Sequence, residues 1–304
     1  MQAFNESRLA YFFAAVQCGT VRAAADKLDI APSAVSRQIA LLEQELALAV
    51  LERHRRGVVP TQAGQLLIDY YREQTAHQSD LLSKLQEVRG LKRGHVDVAL
   101  GEGFVVDFMQ GPMAHFSQRH PHISVTLDLA GTNDVLRRVA EDEAEIGLVY
   151  QPPHDPKIVS RAVQRQPMRA IVRANSALQP PERFTLADLA SRPLALTHSS
   201  YGTRQLLGLA EYAAKLKLTP ALTSNSINVL KQFVRSGLGV TVLPEFAVTA
   251  ELESGELRAI PIDDPVLEAA EAHLITRTGR KLSVAANRLV SYCSSLMQAF
   301  QVTR

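Results

Sequence analysis

The run APSAVSRQIALLEQEL, residues 31–46, opens with a proline in its second position and closes as an amphipathic helix. Pro32 suits the first helical position, where its missing donor costs nothing and its fixed φ is already helical. Helical spacing then puts Ser33, Ser36 and Arg37 on one side and Val35, Ile39, Leu42 and Leu46 on the other. Alone, S-x-x-S-R reads as an ordinary solvated face, but the flanking sequence changes that. Upstream, Leu9, Phe12, Phe13 and Val16 recur at i, i+3, i+4, i+7, so a first helix is expected from about Asn5 to Cys18, stopped by Gly19. Thr20 is placed to cap a short second helix, VRAAADKL, whose Ala24 and Ala25 allow close packing. Asp29 tolerates the turn that follows, and Ile30 plugs it. This is a helix-turn-helix, in which the second helix of the pair brings its N-terminal residues to base edges in the major groove. Pro32, Ser33, Ser36 and Arg37 are therefore the expected DNA-facing residues of the helix. The serine hydroxyls suit phosphates or bases, and the Arg37 guanidinium suits guanine O6 and N7.

Downstream, LERHRRGVVPTQAG (51–64) carries Arg53, Arg55 and Arg56 into Gly57, with Val58 and Val59 as a short strand before Pro60. It reads as a β-wing, its arginines placed for phosphates or the adjacent minor groove, with a solvated basic turn as the alternative; directly after a helix-turn-helix it makes a winged helix. Thr61 then caps a long helix to about Arg89 on which Ala63, Leu66, Leu67, Tyr70, Tyr71, Leu81, Leu82, Leu85 and Val88 recur at roughly heptad spacing. So small a domain cannot cover that stripe, which implies pairing with a second copy and two half-sites on the DNA. Gln74, His77 and Gln78 interrupt the stripe as register-setting or simply exposed residues.

The stretch AAADKLDIAPSAVSRQIALLEQELALAVLERHRRGVVPTQAG (23–64) resembles the N-terminal region of LysR-type transcriptional regulators. That family's pattern has paired alanines, an -AVSRQI-xxLE-x-EL core, an -ER-xx-RG-V-x-T-xAG wing and a linker helix. Leu51 stands where phenylalanine is common, and Ala31 and Pro32 replace a more usual serine cap and glutamine, which alters capping and details of base reading. The resemblance implies that Ser33, Ser36, Arg37, Arg53, Arg55 and Arg56 touch double-stranded promoter DNA. It also implies a homodimer that assembles into a homotetramer.

GLKRG (90–94) breaks the long helix as a hinge. Beyond it HVDVALG, ISVTLDLAG and IGLVY read as strands separated by the helical VVDFMQGPMAHFSQRHP and NDVLRRVAEDEA. A second series runs through MRAIVRA, PLALTHSS, ALTSNS and VTVLP, with helices around FTLADLAS, TRQLLGLAEYAAKL and NVLKQFVRSG. The chain returns through AHLITR and a helix from Leu282 to Phe300. Alternation at this spacing predicts βαβ units with parallel sheets, in two lobes with a cleft between them. AEIGLVY (144–150) and VRSGLGVTVLP (234–244) resemble the LysR-type effector domain, a periplasmic-binding-protein-like module, although Ile146 and Gly147 stand where its strand often has Leu-Asp. The predicted architecture is α+β and multidomain: a winged helix-turn-helix (1–60), a linker helix (61–89), a hinge (90–94) and an effector-binding domain (95–304). In the last, lobe I is 95–162 and 269–304, and lobe II is 163–268.

Ligands in such sheets bind beyond the carboxyl ends of strands, where helix N-termini offer free N–H groups. Those ends fall at Gly101–Phe104, Gly131–Asn133, Tyr150 and Gln151, Thr197–Thr203 and Ser224–Ser226, loops rich in Thr, Ser, Asn and Gly without one dominant charge. Each hydroxyl or amide taken singly is a helix cap; as a set they suit a small polar or anionic metabolite. The resemblance implies contacts from Thr132, Asn133, Ser199, Ser200, Thr203 and Ser226, with Phe104 and Tyr201 as walls. Gly103 and Tyr150 complete the expected set.

At 304 residues with 46% hydrophobic and 21% charged residues the chain is an ordinary soluble globular protein, expected in the cytoplasm because neither a signal sequence nor a long apolar run is visible. The net charge of +2 does not by itself indicate DNA binding, so that reading rests on the local clusters. Cys18 and Cys293 lie at opposite ends, which argues against a disulfide, zinc or redox pair, and nine histidines form no H-x-x-x-H pair. Gly101-Glu102-Gly103 lacks the rest of a dinucleotide loop, and neither a G-x-S-x-G elbow nor a phosphate-binding loop occurs. The chain is expected to be no enzyme and to carry no cofactor beyond its effector. The alternative is a small-molecule binding protein or enzyme with an N-terminal dimerisation module, against which the basic wing argues.

Overall fold

A computed structural model describes residues 5, 7–54, 57–88, 94–175 and 181–301, in two compact units that meet in sequence at Ser79 and Asp80. In the first unit, α1 (Ser7–Cys18), α2 (Val21–Leu28) and α3 (Pro32–Leu46) precede an antiparallel pair, β1 (Leu51–His54) and β2 (Gly57–Pro60), and the long α4 (Gln62–Val88). Thr20 caps α2, its side chain accepting from the Ala23 N–H at 3.1 Å. Asp29 closes α2 in the left-handed region at φ 55°. The core gathers Leu9, Phe12, Ala24, Val35, Ile39 and Leu42, each at most 1% exposed, so the two alanines of α2 do permit the close helix packing expected of them.

Two side chains position the wing: Glu43, which was not singled out from the sequence, and Thr61, which was. Glu43 on α3 accepts from the Val50 N–H (2.9 Å) and the Leu51 N–H (3.3 Å), which pins the entry to β1. Thr61 caps α4 by accepting from the Gly64 N–H (3.0 Å), and its hydroxyl also donates to the Ala49 carbonyl (2.8 Å). At Gly57 the backbone has φ +142° and a Cβ would lie 2.1 Å from the Gly19 carbonyl oxygen, while the Val58 N–H donates to that same oxygen at 2.8 Å. Only glycine lets the wing lie against the turn that ends α1.

The apolar stripe of α4 divides between two faces. Leu67, Ile68 and Tyr71 pack into the first unit's core, Tyr71 stacking at 4.9 Å on Phe13, whereas Leu66, Tyr70, Leu81 and Leu85 are exposed. The side chains of His77, Leu82 and Val88 lie outside the described residues, as do residues 90–93 of the expected hinge.

The second unit contains two five-stranded sheets. Lobe I has the order β4-β3-β5-β12-β6, from β3 (Gly94–Leu100), β4 (Ile123–Leu129), β5 (Ile146–Tyr150), β6 (Ile158–Arg165) and β12 (Glu271–Arg277). Lobe II has the order β11-β7-β10-β8-β9, from β7 (Met168–Arg173), β8 (Leu194–Thr197), β9 (Leu222–Ser224), β10 (Val240–Pro244) and β11 (Leu257–Pro261). Helices α5 (Val105–Phe108), α6 (Ala114–Arg119), α7 (Thr132–Ala140) and α13 (Val284–Leu296) serve lobe I. Lobe II carries α8 (Leu186–Ala190), α9 (Gly202–Ala213), α10 (Ile227–Arg235), α11 (Thr249–Glu253) and α12 (Pro265–Glu268).

The sheets are mixed, not purely parallel as the alternation suggested. β3 pairs in parallel with β4 and β5, but β12 runs antiparallel to β5 and β6; likewise β8 is parallel to β9 and β10, while β7 is antiparallel to β10 and β11. The unanticipated β6 and β11 are both edge strands, whose half-exposed sequences lack a long apolar run. β6 extends to Arg165, so the chain leaves the first sheet between Arg165 and Met168 and not at 162. That crossing is built on Gln166, whose carbonyl accepts from the Tyr150 hydroxyl (2.5 Å) and whose side-chain amide donates to the Ala299 carbonyl (3.0 Å). Asp107 accepts from the N–H groups of Gln298 (2.8 Å) and Ala299 (2.9 Å), tying down the turn after α13. No described helix is long and apolar enough to cross a membrane.

Candidate functional site

Two sites emerge, one on each unit. On α3, Val35, Ile39 and Leu42 are buried, and Pro32, Ser33 and Arg37 are exposed on the opposite side with Ser36 half-buried beside them. Ala31 begins the helix from extended backbone and contributes no side-chain cap, as its replacement of a serine implies. Ser33, Ser36 and Arg37 make no side-chain hydrogen bond or ion pair among the described residues. The contrast within the unit is informative: Arg8 is paired with Glu45, whereas the guanidinium groups of Arg37, of Arg53 on β1 and of Arg22 at the second position of α2 are exposed and unpaired among the described residues. An unpaired guanidinium keeps all five donors available for a phosphate or a base edge. Arg22 was missed in the sequence because VRAAADKL draws attention to its alanines; its place in the first turn of the bracing helix is the available signal. Arg55 and Arg56 lie outside the described residues.

In the second unit a cleft of about 390 Å³, including its open mouth, lies between the lobes. It brings together Gly103, Phe104, Thr132, Tyr150, Tyr201 and Thr203 of the expected set. The apolar wall is larger than expected, since Ile227, Leu243, Pro244, Phe246 and Ala247 join it. Phe246 packs between Phe104 (4.7 Å) and Tyr150 (6.2 Å). The signal for that wall was present in Phe246 and Ala247, which follow VTVLP after the single charged Glu245.

Asn133, Ser199, Ser200 and Ser226 are not among the residues that line the cleft, and the side chains of Asn133 and Ser226 bond within the protein. Gln205 donates both to Asn133 Oδ1 (3.3 Å) and to the Ser199 carbonyl (3.0 Å). Ser226 caps α10, accepting from the Val229 N–H at 3.4 Å, and its hydroxyl donates to Glu102 at 2.9 Å. Ser200 abuts Gly131, where a Cβ would lie 2.9 Å from the Ser200 carbonyl oxygen. Thr132 bridges the lobes by accepting from the Gly202 N–H at 2.9 Å. A Cβ at Gly202 would come within 1.8 Å of the Tyr150 carbonyl oxygen, so the start of α9 meets the end of β5 only because this residue is glycine.

The remaining hydroxyls are also spoken for. Thr203 and Thr197 share a hydrogen bond at 2.8 Å, and Tyr201 donates to the Asn225 carbonyl at 2.9 Å. Burial pushes the Tyr150 phenol well above its ordinary range, so it remains a donor to Gln166 at all physiological pH. The Tyr201 phenol is raised too, by burial and then by the charge of Glu102. Glu102 is the one charged residue among the described residues lining the cleft. No group of three or more His, Cys, Asp or Glu among the described residues is arranged to hold a metal ion.

Comparison with known proteins accounts for both units. Residues 7–65 match the bacterial regulatory helix-turn-helix protein, lysR family, and residues 89–298 match the LysR substrate binding domain. The chain is 27% identical over 281 residues to a RuBisCO operon transcriptional regulator of Allochromatium vinosum, covering 92% of each sequence. Full-length OxyR from Pseudomonas aeruginosa, solved as a cysteine-to-aspartate variant, shares the fold over 100% of both chains with a TM-score of 0.70 at 16% identity. Full-length CbnR, solved with its target DNA, shares it over 98% of this chain and 100% of that one with a TM-score of 0.53 at 20% identity. With both of its units matched, the chain belongs to the LysR family of bacterial transcriptional regulators.

Proposed function

We propose that this regulator reads its operator with Ser33, Ser36 and Arg37 of α3, that Arg53, Arg55 and Arg56 of the wing and Arg22 of α2 hold the phosphate backbone, and that a small molecule in the interlobe cleft sets the affinity or geometry of that binding. The observation that carries the reading is the face of α3: an exposed, unpaired arginine and two uncommitted serines opposite three buried apolar residues. An exposed guanidinium with its donors free is what contact with phosphates and base edges requires. It acts in the cytoplasm as a homodimer through α4, or as a pair of such dimers, without catalytic activity and without a cofactor. Effector control follows if the ligand binds one arrangement of the lobes more tightly than another, because only differential affinity moves such an equilibrium.

The test is a DNase I footprint on the intergenic DNA beside the protein's own gene. The wild type should protect a two-fold symmetric site. Arg37→Ala should lose selectivity for that site over random DNA by about 1–3 kcal/mol per half-site, the worth of one bidentate base contact. Arg22→Ala and Arg53→Ala should weaken binding to all sequences alike and flatten its salt dependence. Selectivity that survives Arg37→Ala would remove that residue from the readout. For the cleft, Thr132→Ala should leave the footprint in place and abolish its response to metabolites screened on the same DNA.

A further inference from the structure

The start of α10 is already occupied. β3 ends at Leu100, and the turn 102–104 carries Glu102 across the cleft to the opposite lobe. There its carboxylate accepts from the Ser226 hydroxyl (2.9 Å), from the Asn228 N–H (3.4 Å) and from the Ile227 N–H. The third free amide of the helix, that of Val229, is taken by the Ser226 side chain. A nine-residue helix thus presents its positive end to an anion supplied by the protein itself. The two lobes meet here through partners 124 to 126 residues apart, reinforced by the Gly202 to Thr132 bond at the start of α9.

Among the described residues, no lysine, arginine or histidine lines the cleft to balance a second negative charge. Around Glu102 lies an apolar wall of Phe104, Ile227, Leu243, Phe246 and Ala247, with a few hydroxyls that already bond within the protein. A carboxylate or phosphate ligand would have to displace Glu102 from the helix or sit beside it without a counter-charge.

We propose that Glu102 fills the anion position of the interlobe cleft, closing the lobes in the absence of ligand and selecting uncharged or cationic effectors over carboxylates and phosphates. The selectivity half of this rests on the cleft being the effector site; the latch itself does not.

Hydrogen exchange on the full-length protein separates the two. In the ligand-free wild type the amides of Ile227 and Asn228 should be protected and indifferent to sodium acetate or inorganic phosphate at constant ionic strength. In Glu102→Ala they should exchange roughly tenfold faster or more, while the amides of β3 and β10 keep their protection as a control for folding. Added acetate should restore protection in that variant by occupying the vacated position. Glu102→Gln, which keeps the length of the side chain and one acceptor, should fall between the two and gain little from acetate; it also serves as the test if the alanine variant loses protection in β3 and β10. Unchanged protection at Ile227 and Asn228 in both variants, or a wild type that responds to acetate or phosphate as strongly as Glu102→Ala, would overturn the proposal. Failure of metabolites to alter the footprint would count against the effector reading and leave the exchange result standing.

Discussion

Single residues in this chain often do two jobs, and their chemistry decides which changes matter. Thr61 both caps α4 and holds the Ala49 carbonyl, so Thr61→Ala should cost about 1–2 kcal/mol in the urea denaturation of the first unit. Cys293 is fully buried, and burial, then the charge of Asp107, pushes its thiol far above the ordinary range, so it does not form a thiolate in the folded protein. Cys18 is only half-buried. One of the two thiols should react promptly with an aromatic disulfide reagent and the other only on unfolding; two prompt equivalents would contradict the packing of α13. Burial also raises Asp107, against the pull of the Ala299 and Gln298 amides. Its native carboxyl therefore binds a proton more tightly than in the unfolded chain, and its contribution to stability falls as pH rises from 3.8 through the raised native value. Across that window the urea midpoint of the wild type should decline relative to that of Asp107→Asn.

At the scale of elements, the wing and α4 carry the sharpest consequences. Gly57→Ala forces a side chain into a backbone at φ +142° and onto the Gly19 carbonyl. It should destabilise the first unit by at least about 2 kcal/mol, seen as an earlier thermal transition of that unit with the lobes unaffected. On α4, Leu66 and Tyr70 in the first unit and Leu81 and Leu85 in the second are exposed apolar side chains, while Leu67, Ile68 and Tyr71 are packed. Burying such side chains is worth roughly 1.5–3 kcal/mol each, so a second copy of the helix is their natural cover. Leu81→Glu with Leu85→Glu should raise the dimer dissociation constant by about 10³-fold or more in sedimentation equilibrium. An unchanged constant would move the dimer contact elsewhere.

For the whole molecule, the two sheets and their double crossing explain why the cleft exists and why it can respond. β6 hands the chain to β7 through Gln166, and β12 returns it, so the lobes are joined near Tyr150 and meet again at Thr132 and Glu102.

The sequence alone determined whatever depends on neighbours along the chain. Thr20, Asp29 and Thr61 at helix ends and the two faces of α3 are set largely by interactions within a few residues, and each was legible from residue type and spacing; the need for glycine at 57 comes from the Gly19 carbonyl and is decided by the fold. The winged helix-turn-helix was legible for the same reason. The edge strands β6 and β11 and the antiparallel β12 were not, because an edge needs no apolar run and strand direction is settled by the partner. Nor could residue type say which strand-end hydroxyls would face a ligand. Asn133, Ser199, Ser200 and Ser226 have the right chemistry but stand outside the cleft lining, and Glu102 fills a helix end more than a hundred residues away. Helix caps are local electrostatics; the occupant of a cleft is decided by which surfaces the tertiary fold brings face to face.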